Sequence, residues 1–486
     1  MQEVEAVPQR VGGAERVLAN SVYRAGAELV SKVLSLALFA VMARELGAEG
    51  LGVFTFGFAF VTLVTALASF GQDQVLAREV SRRRELVGGY FGNTFVLKLL
   101  GGALGLAVAL AAGWAAGFEP ETLAVVALLG PAVLIEQLLA TVFAVLMSFD
   151  RLELIPVVLL VQRTLTAAVS IGALLAGAGV VAVSAIYLGG TLLALGLALG
   201  LMRRRVVRPE SSVERRRWRP LVRAALPIGI SIVLGTILFR VDTIILAAFE
   251  SASVVGQYGA AFRVFEATLF VSWAVGTATY AVFATASRTS EPTLAAVAEQ
   301  GLKLAAAATL PVAAAALVLG EPITTLLYGA EFDEAGTALS LLAPAIAFYP
   351  VVHVLSALLI AQDRQRVVVH ASLVAAAANV AGNLILIPAL SLNGAALMAS
   401  LTQVVLAVPL IVAAHRLAGP LRWRRVAAGP VLASAAAVPV MLALRSQVLA
   451  AGLAGAAVYV VALAAWERIA YPADARAAAA FVRGQR

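Results

Sequence analysis

Long apolar stretches, rich in alanine and leucine, recur along the whole chain and are separated by short polar connections. Each is long enough to cross the ~30 Å hydrocarbon layer of a membrane as a helix. Backbone groups inside lipid need internal partners, so only helices or closed barrels span a bilayer. The stretches are continuous and do not alternate over ten residues, so they indicate helices. The pattern predicts an all-α polytopic membrane protein with about 14 transmembrane helices.

We number the predicted spans in chain order. Their approximate limits are 20–43, 50–71, 90–116, 121–147, 153–177, 180–202, 221–248, 257–284, 300–319, 338–361, 366–389, 393–416, 426–445 and 448–466. No connection between them is long enough to fold as a separate domain. The longest, at 202–220, follows span six, where the first half of the chain ends.

One apolar segment occurs twice. Residues 128–151 read LLGPAVLIEQLLATVFAVLMSFDR and residues 341–364 read LLAPAIAFYPVVHVLSALLIAQDR, with 8 of 24 positions identical. A weaker similarity relates LGVFTFGF at 51–58 to VGQYGAAF at 255–262. The members of each pair lie six spans apart and therefore cross the membrane in the same direction. Chance similarity between alanine- and leucine-rich helices would produce such matches less readily at the proline and aspartate–arginine positions.

The repeat predicts two parallel six-helix lobes followed by a C-terminal helix pair. We expect an N-lobe at 1–202, a basic linker at 203–220, a C-lobe at 221–417, and a helix pair with its tail at 418–486. Parallel repeats of this kind place a transported substrate between the lobes near the middle of the bilayer.

Composition and charge support a membrane location. The chain is 61% hydrophobic and 13% charged, with a formal net charge of +8, whereas soluble domains carry about 25% charged residues. Arginines concentrate in even-numbered loops, and positive loops stay in the cytoplasm. We therefore expect a multi-pass protein of the cell (inner) membrane with both termini cytoplasmic. The arginines are expected to contact anionic lipids and not nucleic acid. The absence of cysteine excludes thiolate metal sites.

Four stretches carry a family resemblance. They are ARELGAEGLGVFTFGFAFVTLVTALASFGQDQVLARE at 43–79, VDTIILAAFESASVVGQYGAAFRVFE at 241–266, LLYGAEFDEAGTALSLLAPA at 326–345 and NLILIPALSLNGAALMASL at 383–401. In this order they resemble the polysaccharide-transport flippases of the multidrug/oligosaccharidyl-lipid/polysaccharide exporter superfamily. The resemblance implies two helix bundles that alternately open a central cavity to either side of the membrane.

The function implied by the resemblance is transport and not enzymatic catalysis. Such flippases move undecaprenyl-pyrophosphate-linked oligosaccharides from the cytoplasmic to the outer leaflet, and polysaccharide assembly proteins are expected partners. A lipid II flippase or a cation-coupled multidrug exporter is the main alternative. A membrane glycan polymerase or ligase is disfavoured because the odd-numbered loops are short. No GxxxxGK[ST] stretch is present, so we expect no cofactor, and the membrane potential, Na+ or H+ are open as energy sources.

Span one carries charged residues at a spacing of four. Arg24, Glu28 and Lys32 fall on one helix face. Each charge costs about 2.5–3.5 kcal/mol at the bilayer centre, so this face turns toward protein or water. We expect Arg24 and Lys32 to attract the pyrophosphate, with Glu28 balancing their charge. A buried cluster that only fixes helix packing is the alternative.

Spans seven and eight add further candidates. Arg240 and Arg263 are predicted to bind the substrate, and Arg263 is placed to pair with Glu266 at i, i+3. Asp242 suits either a coupling cation or a basic partner on another helix. Glu136 in span four is a candidate for charge balance, with Arg163 of span five as a possible partner.

Four side chains are candidate sugar contacts. Trp273 and Tyr280 of span eight offer flat rings with polar edges. Asn379 and Asn383 of span eleven offer amides for hydroxyl groups. Ordinary helix packing suits the aromatic rings as well, and hydrogen bonds between helices suit the amides.

Overall fold

The computed structural model describes residues 12–208, 212–286 and 294–472. The described residues form fourteen α-helices and two single 3-10 turns, with no strand. The helices are α1 Gly12–Ser69, α2 Gln72–Arg82, α3 Val87–Ala115, α4 Pro120–Ser148, α5 Leu154–Leu175, α6 Val180–Arg205, α7 Arg215–Phe249, α8 Ala252–Ala286, α9 Leu294–Tyr328, α10 Asp333–Ala361, α11 Gln365–Leu390, α12 Leu392–Ala418, α13 Trp423–Ala443 and α14 Val448–Ala470. The predicted all-α polytopic fold is confirmed.

Helix α1 contains the first two predicted spans. Its path changes at Gly47, whose φ of 67° and ψ of −177° interrupt the helical geometry. Only glycine adopts this conformation without strain, so the chain turns here without a loop. Helices α3 to α14 correspond to spans three to fourteen. Twelve stretches of the described residues are long and apolar enough to cross a membrane; α8 is not among them, but its 35 residues exceed the ~20 that a span requires.

The repeated aspartate–arginine pair ends two equivalent helices, α4 and α10. Asp150 and Asp363 adopt left-handed backbone conformations with φ of 58° and 57°. The next amide donates back to the helix in both copies: Arg151 N to Leu146 O at 2.9 Å, and Arg364 N to Leu359 O at 2.7 Å. Aspartate tolerates this conformation better than most residues. The sequence repeat therefore encodes the same helix-terminating turn twice.

The weaker repeat lies where the two lobes meet. A Cβ atom added to Gly52 would lie 1.7 Å from the Ala252 carbonyl oxygen, and one added to Gly256 would lie 1.9 Å from the Ala48 carbonyl oxygen. The contact is reciprocal, as an approximate two-fold axis requires. Helices α1 and α8 thus cross backbone against backbone near the connection between α7 and α8.

Replacing Gly256 by alanine is expected to lower the thermal stability of the purified protein. The added Cβ has no space against the α1 backbone, and overpacking costs about 1–3 kcal/mol. Gly235→Ala in α7 is the matched control, because nothing lies within 4 Å of its Cβ position, and alanine favours a helix over glycine by up to about 1 kcal/mol. Melting of both variants in detergent checks the prediction, which an unchanged Tm for Gly256→Ala contradicts.

The lobes also touch near the opposite face, which carries the arginine-rich connections after α2, α6 and α12 and which we call the basic face. Gly71 has a φ of 70° and lies against Ala225 and Gly229 of α7. Phe70 packs on Gly229 from the same side. Helix α2 was not predicted as an element; its 11 residues span only about 16 Å, too short to cross a bilayer.

A buried ion pair holds α2 against the N-lobe. Lys98 of α3 has a side chain that is 0% exposed, and its ammonium donates to Asp73 of α2 at 2.5 Å. It also donates to the carbonyl oxygen of Gln137 at 2.8 Å, and Thr141 donates to the other oxygen of Asp73 at 2.8 Å. One carboxylate of α2 therefore joins α3 and α4.

Within the predicted linker of 203–220, α6 continues to Arg205 and α7 begins at Arg215. Asn93 of α3 accepts hydrogen bonds from the backbone of Glu214 at 3.0 Å and from the indole of Trp218 at 2.8 Å. Hydrogen bonds from Arg216 and Arg217 hold the pKa of the Glu214 carboxyl below its usual range. The connection between the lobes is thereby attached to the N-lobe. The outer limits of the two lobes stay predictions.

The C-terminal helix pair is attached to α9 by three ion pairs. Glu299 binds Arg422 at 3.0 Å, Lys303 binds Glu467 at 2.5 Å, and Glu321 binds Arg445 at 2.7 Å. Alanine and methionine side chains of α13 fill the rest of this contact with α9. Helices α13 and α14 thus lie on the C-lobe, away from the helices that meet between the lobes.

Candidate transport cavity

A cavity of about 280 Å³ lies between α1, α4, α5 and α6 of the N-lobe and α7 and α8 of the C-lobe. It lies beside the middle of α5 and the C-terminal half of α4. Its polar lining consists of Ser35, Thr55, Glu136, Gln162, Arg163, Thr166, Ser170, Tyr187, Arg240, Thr243, Arg263 and Glu266. Both lobes therefore contribute to one polar space, as the parallel repeat predicted.

Glu266 joins the two arginines of the C-lobe wall. One carboxylate oxygen binds Arg240 at 3.0 Å and the other binds Arg263 at 3.0 Å. The two guanidinium groups keep 20% and 28% of their side-chain surface exposed. A single carboxylate thus neutralises about half of the positive charge on this wall.

The same arginines reach across to the N-lobe. Arg263 donates to the hydroxyl of Ser35 in α1 at 2.6 Å and stacks over Phe39, 4.1 Å from the ring centroid. Arg240 lies over Phe58, in the second segment of α1, at 5.5 Å. Cations over aromatic faces gain about 0.5–2 kcal/mol, more when desolvated. The C-lobe arginines therefore hold part of the contact between the lobes.

The N-lobe wall is arranged differently. The Tyr187 hydroxyl donates to Glu136 at 2.7 Å, which ties α6 to α4. Among the described side chains, which do not include Arg24 and Glu28 of α1, Arg163 of α5 makes no hydrogen bond or ion pair, although its charge acts on Glu136. Farther along the same face of α5, the hydroxyls of Thr166 and Ser170 are buried without a hydrogen-bond partner within the described parts of the chain. This wall therefore contains hydroxyl groups that are not bonded to any described residue.

The cavity carries excess positive charge. Among the side chains that the structure describes, three arginines, 163, 240 and 263, face two glutamates, 136 and 266. The charge of Lys32, three residues before Ser35 on α1, also acts on Glu266. Charges interact more strongly in a space with little water than in bulk solvent. The site is therefore suited to an anion.

Most of the predicted charged residues gather at the cavity. Arg240, Arg263, Glu136 and Glu266 line it, and Lys32 lies close enough to Glu266 for their charges to interact. Arg24, Glu28 and Trp273 lie outside the residues whose side chains the structure describes. Arg163 and Glu136 do not form an ion pair, although their charges interact.

Other predicted residues do not line the cavity. Asp242 is 1% exposed and accepts hydrogen bonds from the Tyr258 hydroxyl and from the Thr243 amide. Asn379 donates to Thr402 of α12 at 2.8 Å, and Asn383 donates to Asn379 at 3.2 Å. Tyr280 is 44% exposed near the end of α8. Asn379 thus makes the interhelical bond that was the alternative to a sugar contact, whereas Asn383 bonds within α11.

Sequence reasoning named Arg163 of α5 as a possible partner of Glu136 but missed the two hydroxyl residues on the same helix face. Arg163, Thr166 and Ser170 recur at spacings of three and four on one face of span five. The same signal drew attention to span one, where the charges are more numerous. The α5 pattern was readable, but only the cavity shows which way it faces.

Comparison with known families agrees with the fold. The family model described as polysaccharide biosynthesis protein matches residues 17–287, more than half of the chain, and a second model, MatE, matches residues 227–385. A search of curated protein sequences gives no match.

Solved structures share the architecture at low sequence identity. A structure described as lipid II flippase MurJ, inward closed conformation, aligns with a TM-score of 0.78 and 14% identity over 91% of this chain and 98% of that one. An inward-facing multidrug resistance MATE family transporter of the MOP superfamily aligns with a TM-score of 0.64 and 16% sequence identity, over 80% of this chain and 94% of that one. A MOP superfamily transporter from Pyrococcus furiosus aligns with a TM-score of 0.61 and 15% sequence identity, over 82% of this chain and 95% of that one. The chain belongs to the polysaccharide biosynthesis protein family, within the multidrug/oligosaccharidyl-lipid/polysaccharide exporter superfamily.

Proposed function

We propose that this protein is a flippase that moves undecaprenyl-pyrophosphate-linked oligosaccharide from the cytoplasmic to the outer leaflet. The observation that carries the proposal is the cavity between the lobes, in which arginines outnumber glutamates. Arginine suits phosphate oxygens because its planar fork donates two parallel hydrogen bonds. Membership of the polysaccharide biosynthesis protein family supports a glycan as cargo.

The proposed cycle follows from the contacts between the lobes. The head group enters from the basic face after α2 and α7 separate, while the polyprenyl chain stays in lipid. The diphosphate binds Arg240 and Arg263. Re-formation of the α2–α7 contact and separation of α1 from α8 at Gly52 and Gly256 then expose the head group to the other side. Alternating exposure around a fixed midplane site is the usual plan for parallel repeats.

Under this proposal the membrane potential assists outward movement. Each negative charge that leaves a cell with a negative interior gains about 2.3 kcal/mol per 100 mV. Coupling to Na+ or H+ is an alternative energy source. The arginines of the basic face would contact anionic lipids, and polysaccharide assembly proteins would supply and receive the glycan.

A lipid II flippase is the second candidate, and the overlap with MurJ over 98% of that chain favours it. Lipid II also carries a polyprenyl diphosphate, so the same arginines serve both cargoes. A multidrug exporter for cations is disfavoured by the excess positive charge of the cavity.

The proposal is tested by flipping in proteoliposomes. Arg263→Ala is expected to reduce flipping of an undecaprenyl-diphosphate-linked oligosaccharide at least ~10-fold, because one charge-assisted contact is worth about 1.5–3 kcal/mol. Arg223→Ala is the matched control, since Arg223 lies exposed on α7 outside the cavity.

Lipid II and a cationic drug serve as competing cargoes. Faster movement of lipid II than of the oligosaccharide lipid would favour the second candidate. Transport of the drug alone, unaffected by Arg263→Ala, would contradict both flippase proposals.

A further inference from the structure

The two walls of the cavity differ in how their polar groups are used. On the C-lobe wall, Glu266 binds both Arg240 and Arg263, and among these three side chains only the Arg263 Nε is buried without a partner within the described residues. On the N-lobe wall, Arg163 has no ion pair with a described side chain, a set that excludes Glu28, and the buried hydroxyls of Thr166 and Ser170 on the same helix have no hydrogen-bond partner in that set. A closed bundle does not normally leave such groups unbonded, because each buried unsatisfied polar group is costly. Similar unbonded atoms occur elsewhere in the structure, but the hydroxyls of Thr166 and Ser170 differ from those of Thr94 and Ser434 in lining the cavity, where a bound molecule can reach them.

Arg163 is positioned as a donor into the cavity. It lies about halfway along α5 with a half-buried side chain, and the Glu136 carboxylate opposite is held by Tyr187. The charge of Arg163 is thus moderated by a nearby carboxylate, while none of its five N–H groups is bonded to a described side chain. This combination favours neutral oxygen acceptors as much as a full anion.

Ser170 supplies the second observation. Its side chain is 0% exposed, lines the cavity and has no hydrogen-bond partner among the described residues. It lies seven residues after Arg163, two helical turns along the same face, which corresponds to about 10 Å. The hydroxyl of Thr166, between them, fills the space left by Gly190 of α6 and is a less direct candidate.

Acceptors and flat apolar surface complete this wall. Gln162 and Glu136 offer acceptor oxygens near Arg163, and the rings of Tyr187 and Phe143 line the same space. Sugars bind proteins through hydroxyls that both donate and accept, with their apolar faces against aromatic rings. The N-lobe wall supplies both features, whereas the C-lobe wall supplies mainly positive charge.

We propose that the α4–α5–α6 wall is the glycan subsite, in which Arg163 and Ser170 hydrogen-bond the first sugar attached to the diphosphate. This inference rests on the proposed function and assigns the two halves of the head group to opposite lobes: phosphate to the C-lobe, sugar to the N-lobe. Arg163 is then a specificity-determining residue, and a head group bound this way bridges the lobes.

The test compares two ligands that differ only in the sugar. Binding of undecaprenyl diphosphate and of undecaprenyl-diphosphate-linked N-acetylglucosamine to the full-length protein in lipid nanodiscs is measured for each variant. Arg163→Gln is expected to weaken the glycolipid at least ~10-fold and the sugar-free lipid less than ~2-fold, because the lost bonds are to sugar. Ser170→Ala, a small change at a buried site, is expected to weaken only the glycolipid, by about 3-fold.

Arg240→Gln is the matched control and is expected to weaken both ligands equally, since both carry the diphosphate. Equal losses for both ligands in Arg163→Gln would place Arg163 in the diphosphate site and overturn the inference. Unchanged glycolipid binding in both Arg163→Gln and Ser170→Ala would also overturn it. Failure of the unmodified protein to bind either lipid would instead overturn the proposed function.

Discussion

Replacing Asp73 by alanine is expected to destabilise the protein by about 3–5 kcal/mol, the usual loss when one partner of a buried ion pair is removed. The substitution leaves the Lys98 ammonium fully buried with only the Gln137 carbonyl oxygen as a bonded partner. It also removes the acceptor of the Thr141 hydroxyl and detaches α2 from α3 and α4. Thermal unfolding in detergent, followed by helical circular dichroism, measures the loss.

The matched control removes both charges together. Asp73→Leu with Lys98→Met replaces the pair by apolar groups of similar size, and such exchanges are often neutral or stabilising. We therefore expect the double variant to be more stable than Asp73→Ala. If the double variant were as unstable as the single one, the loss would come from packing of α2 and not from an unpaired buried charge.

Replacing Glu266 by glutamine is expected to tighten the binding of inorganic pyrophosphate. The carboxylate occupies both C-lobe arginines at 3.0 Å and competes with an entering anion. Removing one unit charge about 4 Å away changes an interaction by several kcal/mol at an effective dielectric constant near 20, so even partial screening gives a tightening of at least ~10-fold. Calorimetric titration of the purified protein with pyrophosphate measures it.

Glu266→Gln should also weaken transport while it strengthens binding. A more positive cavity holds the head group in place, and a tightly bound cargo leaves slowly. Glu266→Asp is the control: it keeps the charge and shortens the side chain, so pyrophosphate affinity should change less. Weaker pyrophosphate binding in Glu266→Gln would show that the carboxylate organises the arginines and does not compete with the ligand.

Most of what could be predicted about the fold, beyond the number of spans, came from the two internal repeats. The aspartate–arginine pair was visible as a match at a distance of 213 residues, and the structure shows the left-handed turn that requires it. The glycines of the weaker repeat were visible too. Their reciprocal contact was not predictable, because the sequence does not show which residue of another helix a glycine packs against. Helix α2 was missed because it is polar on one side and too short to register as a span.

The site was predicted less completely than the fold. Charged residues within apolar spans are rare enough to stand out, which is how Arg240, Arg263 and Glu266 were found. The sequence could not show that Glu266 forms ion pairs with two arginines. Nor could it show that Arg163 forms no ion pair with a carboxylate whose side chain is described. Whether a buried charge is already satisfied depends on distances between helices that are far apart in the chain.

The turn at Gly47 has a mechanical consequence. The first segment of α1 is a helix joined to the second through one residue outside helical geometry. Ser35 lies twelve residues from that joint, roughly 18 Å along the helix, so a pivot of about 10° displaces it by about 3 Å. That is enough to break its 2.6 Å bond to Arg263. A small change in the backbone angles of Gly47 would therefore be enough to open a contact between the lobes that lies about 18 Å away.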